Sequence, residues 1–293
     1  MIRCRPTLQG RSKVAKGFQR HLTVPFLDQL RGPGPARQVF LACHGAGLDL
    51  RWRPEDRVNA YSKGRCIVAL GPASMRIHGK YLPDGVLGQA QSTRKGNYLH
   101  FDLGKAAAAF CSRLGEICVT AQEYEGREEA SEDAFLRGNA GPGPFQCMDR
   151  QVQIPGIPGR LDALAVTRWQ GRSALVAAEI KCGLDNRIQV VPHQIQKYVA
   201  ALAPAGGLRQ EVAESYGIVA TQMRTMGLSA PEPGEFSPGM PVLGLLVLVD
   251  YNPASRLLGR ARVEAAGLPR PTWLWQGNGS ALKAPDPSGW VRL

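Results

Sequence analysis

Two apolar segments on either side of a Gln-Gly turn limit the possible folds of this chain more than any other feature. Residues 161–168 read Leu-Asp-Ala-Leu-Ala-Val-Thr-Arg, and residues 173–182 read Ser-Ala-Leu-Val-Ala-Ala-Glu-Ile-Lys-Cys. Short apolar runs with β-branched residues predict strands, and Gln170-Gly171 predicts the hairpin turn between them. Asp162 and Glu179 lie equally far from this turn. The hairpin therefore places them opposite each other, with Cβ atoms about 5 Å apart.

The chemistry of such a carboxylate pair favours a divalent metal. Two carboxylates held this close repel each other unless a cation lies between them. Mg²⁺ and Mn²⁺ prefer oxygen ligands of this kind. Lys181 shares the face of Glu179, whereas Ile180 points the other way, into a core. An ammonium group beside a metal-bound water can orient it and stabilise charge on a phosphate, so the pattern indicates phosphodiester hydrolysis.

A helix is predicted at Val190–Leu202, with Pro192 in its first turn. Gln194 and Tyr198 are four residues apart and therefore lie on one face of this helix. His193 and Lys197 form a neighbouring pair that could reach phosphates.

Three short motifs occur in order along this region: Gly159-Arg160-Leu161-Asp162, Glu179-Ile180-Lys181 and Gln194-Ile195-Gln196-Lys197-Tyr198. Together they resemble the PD-(D/E)XK nuclease superfamily, in particular its RecB-like exonuclease branch. The resemblance covers residues 96–251. It implies an α/β, restriction-endonuclease-like core in the order αβββαβ, with a mixed central sheet flanked by helices. It also implies that the backbone carbonyl of Ile180 is a metal ligand and that the Gln194 and Tyr198 face positions nucleic acid.

The first core helix is predicted at Asn97–Leu114. Relatives in the RecB-like branch often carry Gly-xxx-His there, and Gly96 and His100 match this pattern. Gly104 stands where the family commonly has a glutamate, which is a departure. His100 is therefore either a metal ligand or phosphate contact, or an ordinary partly buried histidine. Glu116, near the end of this helix, is a further candidate acid.

The organisation along the chain follows from turn-rich stretches and charge. We predict a basic arm (1–35), a β-rich N-terminal module (36–95), the nuclease core (96–251) with an insertion (204–240), and a C-terminal extension (252–293). The module contains predicted strands at Gln38–Cys43, Leu48–Arg53, Arg65–Leu70 and Ser74–Leu82. The acidic run 123–133 reads as a solvated loop or helix face, or alternatively as an autoinhibitory flap. The tail tryptophans Trp273, Trp275 and Trp290 more often cover a core than stack on bases.

The charge balance favours a polyanionic partner. The 293 residues include 36 Lys and Arg against 24 Asp and Glu, which gives a net charge of +12. We expect residues 1–81 to add nucleic-acid affinity through two basic clusters, Arg3–Arg20 and the group Arg51, Arg53, Arg57, Lys63 and Arg65. The alternative is that these side chains keep a small β-rich module soluble or bind a partner protein.

Seven cysteines are scattered through the chain without a C-x-x-C pair, and none follows Cys182. This pattern predicts free thiols in a cytoplasmic protein and argues against an iron–sulfur cluster. No opening segment resembles a signal peptide, and the longest apolar run, Pro241–Val249, is too short to span a bilayer.

The sequence thus predicts a Mg²⁺- or Mn²⁺-dependent nuclease that cleaves DNA, in phage defence, restriction or repair. RNA as a substrate, strandedness, assembly with itself and assembly with a protein partner stay open. The first alternative is a catalytically silent nucleic-acid-binding or scaffold protein on the same fold. The second is a carboxylate-pair hydrolase such as a glycosidase, which would have no need for Lys181.

Overall fold

The architecture is α/β, with two sheets and seven α-helices in the described parts of the chain. It was obtained as a computed structural model, which describes residues 17–83, 87, 92–183, 187–203, 207–278 and 287–293. The helices are α1 (Val24–Arg31), α2 (Pro35–Gly45), α3 (Leu103–Gln122), α4 (Arg127–Gly138), α5 (Val191–Leu202), α6 (Arg209–Thr225) and α7 (Arg256–Ala266). The strands are β1 (Asp49–Arg53), β2 (Arg57–Ser62), β3 (Arg65–Leu70), β4 (Ser74–His78), β5 (Ser92–Lys95), β6 (Tyr98–Asp102), β7 (Phe145–Val152), β8 (Leu161–Trp169), β9 (Arg172–Cys182), β10 (Val242–Val249), β11 (Thr272–Gly277) and β12 (Val291–Arg292).

The first sheet is wholly antiparallel and has the order β1-β2-β3-β4-β6-β5. One of its faces packs against α2 and α3. The strands predicted at Leu48–Arg53 and Arg65–Leu70 are confirmed. The segment Gln38–Cys43, predicted as a strand, is part of α2. Its apolar run suits either structure, and Pro35 in the first turn favours the helix.

The second sheet is mixed and has the order β12-β11-β10-β9-β8-β7. Strand β10 runs parallel to both β9 and β11, and the other neighbours pair antiparallel. Helix α4 lies against β9 on one side, and α5 packs on β9 and β10. Strand β11 extends this sheet beyond residue 251. Trp275 is buried against Phe135 of α4 and Trp290 against Phe145 of β7, as the core-covering interpretation predicts.

Helix α5 approaches the sheet closely because β10 carries a glycine at the contact. A Cβ atom at Gly244 would lie only 2.4 Å from Ile195 Cγ2 of α5. A larger side chain would push the helix outward, and with it the face that carries Gln194 and Tyr198. Gly244 thus determines the packing distance between α5 and the sheet.

A buried ionic network centred on Asp149 of β7 joins the two sheets. Its carboxylate accepts a hydrogen bond from Arg53 of β1, and from Tyr216 Oη of α6 at 2.7 Å. It also pairs with Arg20 Nε at 3.6 Å. Burial acts to raise the pKa of Asp149, but Arg53 and Arg20 outweigh it and lower the pKa. The carboxylate is therefore ionised and holds three separate segments together.

The network overturns part of the expected nucleic-acid surface. Arg51 and Arg53 are 4 % and 8 % exposed. Arg51 pairs with Asp49 at 2.8 Å, and Arg53 also donates to the Arg150 carbonyl at 2.8 Å. The prediction that Arg51 and Arg53 contact phosphate is therefore wrong, because both guanidinium groups are buried and paired with carboxylates inside the protein.

Two further predictions of local structure fail. Residues 98–102 form β6, so the helix predicted from Asn97 begins only at Leu103, where Asp102 caps it by accepting from Lys105 N at 3.0 Å. In the acidic run, Glu132 and Asp133 are buried in α4 and pair with Arg150. The solvated interpretation is wrong for these two side chains.

Arg20, assigned to the basic arm, is 3 % exposed, while residues 1–16 of that arm lie outside the described residues. The six described cysteines are free thiols. Among the helices that the structure describes, none combines the length and apolar character required to cross a bilayer.

Candidate active site

The β8–β9 hairpin brings Asp162, Glu179 and Lys181 together. Its register runs from Trp169 opposite Arg172 to Ala163 opposite Ala178, so the next step places Asp162 opposite Glu179. Gln170 and Gly171 have φ of 50° and 76°, the left-handed pair that suits a two-residue turn. The predicted turn and register are confirmed.

Lys181 bridges the two carboxylates. Its Nζ lies 3.4 Å from Asp162 Oδ2 and 3.5 Å from Glu179 Oε2. The same Nζ donates to the carbonyl of Ile180 at 3.0 Å, and the Ile180 N–H donates to Asp162 Oδ2 at 2.9 Å. The Ile180 side chain is buried on the other side of the sheet. The three polar side chains and the Ile180 carbonyl therefore form one compact group.

Burial and close charges shift the pKa values of the ionisable groups in this cluster. Glu179 is 1 % exposed, and its Oε1 has no hydrogen-bond partner among the described residues. Burial, and then the charge of Asp162, raise the pKa of Glu179 against the opposing effect of Lys181. Burial acts to lower the pKa of Lys181, but Asp162 and Glu179 outweigh it and raise that pKa. Lys181 is therefore charged, and one oxygen of Glu179 is buried without a hydrogen-bond partner among the described residues.

Tyr198 reaches the same site from α5. The residue is fully buried, and a Cβ atom at Gly159 would lie 3.4 Å from its hydroxyl oxygen. Burial and then Glu179 raise the pKa of Tyr198, while Gln194 on the same helix face opposes the rise. Tyr198 Oη nevertheless meets no partner in good hydrogen-bond geometry within the described part of the chain. His193, by contrast, pairs with Glu264 of α7 at 3.0 Å, on the surface.

Two candidate residues lie away from this group. His100 is on β6 of the first sheet, opposite Arg76 and Thr93, and not on a helix. Slight burial, followed by the charge of Arg76, lowers the pKa of His100. Glu116 is exposed on α3 and pairs with Arg113. Nothing in the described contacts brings either residue to Asp162 or Glu179.

The structure adds two acids that sequence reasoning assigned only to an acidic run. Glu128 of α4 lies 3.6 Å from Lys181 Nζ. Glu132 accepts from Gln151 Nε2 at 3.0 Å and from Arg150, and its pKa is raised by burial and by Asp162. Both fall on one face of α4 because they are four residues apart. That spacing within the run Glu-Glu-Ala-Ser-Glu-Asp was the only signal available in the sequence.

A cavity of about 670 Å³ opens beside Asp162. Asp162, Glu128 and Glu132 line one wall, and residues of the first sheet, including Arg76 and Tyr98, line the other. Asp162 is therefore accessible to a ligand from a cleft between the two sheets, whereas Glu179 and Lys181 are not among the residues that line it. No short motif marks the residues of the second wall, because the sheet collects them from separate strands.

The group fits a divalent cation with few protein ligands. Within the described residues, no three His, Cys, Asp or Glu side chains converge closely enough to hold a metal by themselves. Mg²⁺, however, is ordinarily held by one or two carboxylates together with waters and substrate phosphates. The unpartnered Glu179 Oε1 and the adjacent Asp162 supply such a pair of ligands.

Comparison with protein-family models, curated proteins and solved structures finds no match for this chain. The function is therefore argued from the geometry of the site.

Proposed function

We propose that this chain is a Mg²⁺- or Mn²⁺-dependent nuclease that hydrolyses the phosphodiester bonds of DNA. The observation that carries the proposal is the convergence of Asp162, Glu179 and Lys181 on one face of a single hairpin, at the edge of an open cavity. Two carboxylates with an adjacent ammonium suit phosphoryl chemistry, in which charge on non-bridging oxygens must be neutralised. The net charge of +12 is appropriate for a polyanionic substrate.

The order of elements supports a restriction-endonuclease-like core. Helix α4 is followed by the antiparallel strands β7, β8 and β9, then by α5, and then by β10 parallel to β9. This is the αβββαβ order that the resemblance to PD-(D/E)XK nucleases implies, but with α4 in the place for which the sequence predicted the preceding helix, α3. Helix α6 lies between α5 and β10, within the predicted insertion.

Each residue has a distinct role in the proposed reaction. Asp162, Glu179 and the Ile180 carbonyl would hold the cation, which when bound lowers the pKa of a coordinated water and offsets charge on the leaving oxygen. Lys181 remains protonated, and its Nζ donates to a phosphate oxygen or to the attacking water. Tyr198 and Gln194 position the substrate above the carboxylates. Lys181 Nζ contacts both carboxylates and the Ile180 carbonyl, which are the groups that would hold the cation.

The same contacts favour a second candidate, a nucleic-acid-binding protein without catalytic activity. In that case the ammonium of Lys181 permanently takes the place of a metal ion between Asp162 and Glu179. The two functions make different predictions for metal binding.

The direct test uses linear and circular DNA, single- and double-stranded DNA, and RNA, each with Mg²⁺, Mn²⁺ or EDTA. We expect cleavage of DNA with either cation and none with EDTA. DNA binding without cleavage under every metal condition would reject the nuclease and leave the silent binding protein.

A second test measures the thermal stability of Glu179→Gln. The pKa of Glu179 is higher in the folded than in the unfolded protein. The stability that this side chain contributes to the folded state is therefore fully present below the unfolded pKa of about 4.3, and it is lost as the pH rises toward the folded pKa. In EDTA, the variant should therefore melt above wild type at about pH 8, with the difference vanishing near about pH 4. Each kcal/mol corresponds to roughly 2–4 °C in a protein of this size class.

Addition of Mg²⁺ or Mn²⁺ should reverse this order, because the cation stabilises only the chain that retains both carboxylates. Glu116→Gln, which changes an exposed acid on α3, serves as the matched control and should track wild type at every pH. If the melting temperature of wild type does not change when Mg²⁺ or Mn²⁺ is added, the carboxylate pair does not bind metal.

A further inference from the structure

The outer face of the first sheet is built as a wall of the cavity. Strand β4 pairs with β6 so that His78 lies opposite Tyr98. Met75 and Ile77, which alternate with Arg76 along β4, are completely buried in the core. Arg76 and Tyr98 therefore lie on the opposite face, and both line the cavity that also contains Asp162.

Two arginines line the cavity without a carboxylate partner among the described residues, one from the first sheet and one from the segment before β8. Neither Arg76 nor Arg160 lies within ion-pair distance of a carboxylate in the described parts of the chain. Burial, and then the charge of Arg57, lowers the pKa of Arg76, which is what an uncompensated guanidinium experiences. Arg160 lies near enough to Tyr98 to oppose the rise of the tyrosine pKa caused by burial. Arg76 thus faces the carboxylates of Asp162 and α4 from the first sheet, and Arg160, two residues before Asp162, places a second cation beside these carboxylates.

Tyr98 presents an aromatic surface between these cations. Its side chain is 44 % exposed although it lies in a strand. The ring is held edge-on against His78, with centroids 5.2 Å apart. An exposed and supported aromatic ring beside guanidinium groups is the arrangement that stacks nucleobases while the cations contact the backbone.

The size of the cavity selects the form of the nucleic acid. A volume of about 670 Å³ corresponds to a cube with an edge of about 9 Å. The two grooves of B-DNA are about 8.5 Å and 7.5 Å deep, so a duplex is roughly 16 Å or more across and too wide to enter. An extended strand with unstacked bases can enter and reach Asp162.

We propose that Arg76, Tyr98 and Arg160, named here the strand-binding wall, bind single-stranded nucleic acid and deliver it to the carboxylates. This inference rests on the proposed nuclease function and specifies its substrate as a single strand. Arg76 and Arg160 contact phosphates flanking the bond to be cleaved, and a base stacks on Tyr98.

Binding in EDTA tests the wall separately from the chemistry. The probes are a short fluorescent oligodeoxythymidylate, the matching oligouridylate, and a DNA duplex of equal length. Wild type should bind at least one single strand more tightly than the duplex. Tyr98→Ala should weaken that binding about 5-fold or more, whereas Tyr98→Phe, which keeps the ring, should bind as wild type does.

The arginines are tested through the salt dependence of binding. Arg76→Ala and Arg160→Ala should each flatten the log–log slope against salt by about 0.7, the value for one phosphate contact on a single strand. Arg172→Ala removes the same charge from an exposed residue at the turn end of the hairpin, and should leave slope and affinity unchanged.

The outcomes separate this inference from the proposed function. Tighter binding of duplex than of either single strand, or unchanged binding in Tyr98→Ala and both arginine variants, overturns the strand-binding wall even if wild type cleaves DNA. Loss of single-strand binding in these variants supports the wall, even if wild type proves unable to cleave any substrate with Mg²⁺ or Mn²⁺. That second result would reject only the nuclease.

Discussion

Asp162→Ala and Lys181→Ala are each expected to reduce Mg²⁺-dependent DNA cleavage by about 100- to 1000-fold or more, the cost of removing one preorganised charge-stabilising group. Asp162 supplies one of two carboxylates, and Lys181 the only ammonium that contacts both of them among the described residues. Glu179→Ala should have an effect of the same size. The measurement is the single-turnover rate at saturating DNA, with folding checked by circular dichroism.

Two comparisons make the result specific. Tyr198→Phe and Gln194→Ala should lower the rate less, because these side chains position substrate instead of holding metal. Glu116→Ala removes an exposed acid on α3 and should retain full activity. Wild-type activity in a folded Asp162→Ala protein would refute the site.

Asp149→Ala is expected to destabilise the protein by about 3–5 kcal/mol, the usual cost of leaving buried charges without their partner. The substitution would leave Arg53 and Arg20 uncompensated, and Tyr216 Oη without its acceptor. With about 2–4 °C per kcal/mol, the melting temperature should fall by at least about 6 °C. The measurement is thermal unfolding followed by circular dichroism near neutral pH.

The matched control is Glu55→Ala, which breaks a surface pair with Arg57 whose atoms are 2.8 Å apart. Exposed pairs contribute about 0–1 kcal/mol, so this variant should melt close to wild type. Equal losses of stability in the two variants would mean that Asp149 is not the centre of the link between the sheets.

The sequence predicted the hairpin and its carboxylates well because the relevant information is local. Alternation along β8 and β9 and the Gln170-Gly171 turn together fix the register. The predictions are wrong where contacts with residues far away in the sequence determine the structure. Nothing near Arg53 in the sequence indicates that it forms a buried ion pair with Asp149 on the other sheet.

The other failures have related physical causes. The apolar run within α2 is compatible with a strand or a helix, and its packing on α3 decides between them. The sequence predicts a helix at His100 because the alanine-rich run that follows extends a helical pattern backwards over β6. It does not predict the burial of Glu132, because a run of acids ordinarily faces solvent and the ion pair with Arg150 forms only in the folded protein.

The N-terminal segment is attached to a helix that is synthesised much later. Phe18 N donates to Glu211 at 2.7 Å, and Arg20 N donates to Ser215 at 2.8 Å. Gln222 completes the attachment, because its side chain accepts from the Leu22 N–H and donates to the Leu22 carbonyl. These partners are separated by 193 to 200 residues.

Translation proceeds at about 5–20 residues per second. The segment around Phe18 and Leu22 is therefore synthesised roughly 10–40 s before its partners on α6. Until then its apolar side chains, which are buried in the finished protein, have no native partner on α6. The closing step of folding thus depends on a late segment of the nascent chain. During this interval a chaperone can bind the apolar side chains of the segment around Phe18 and Leu22.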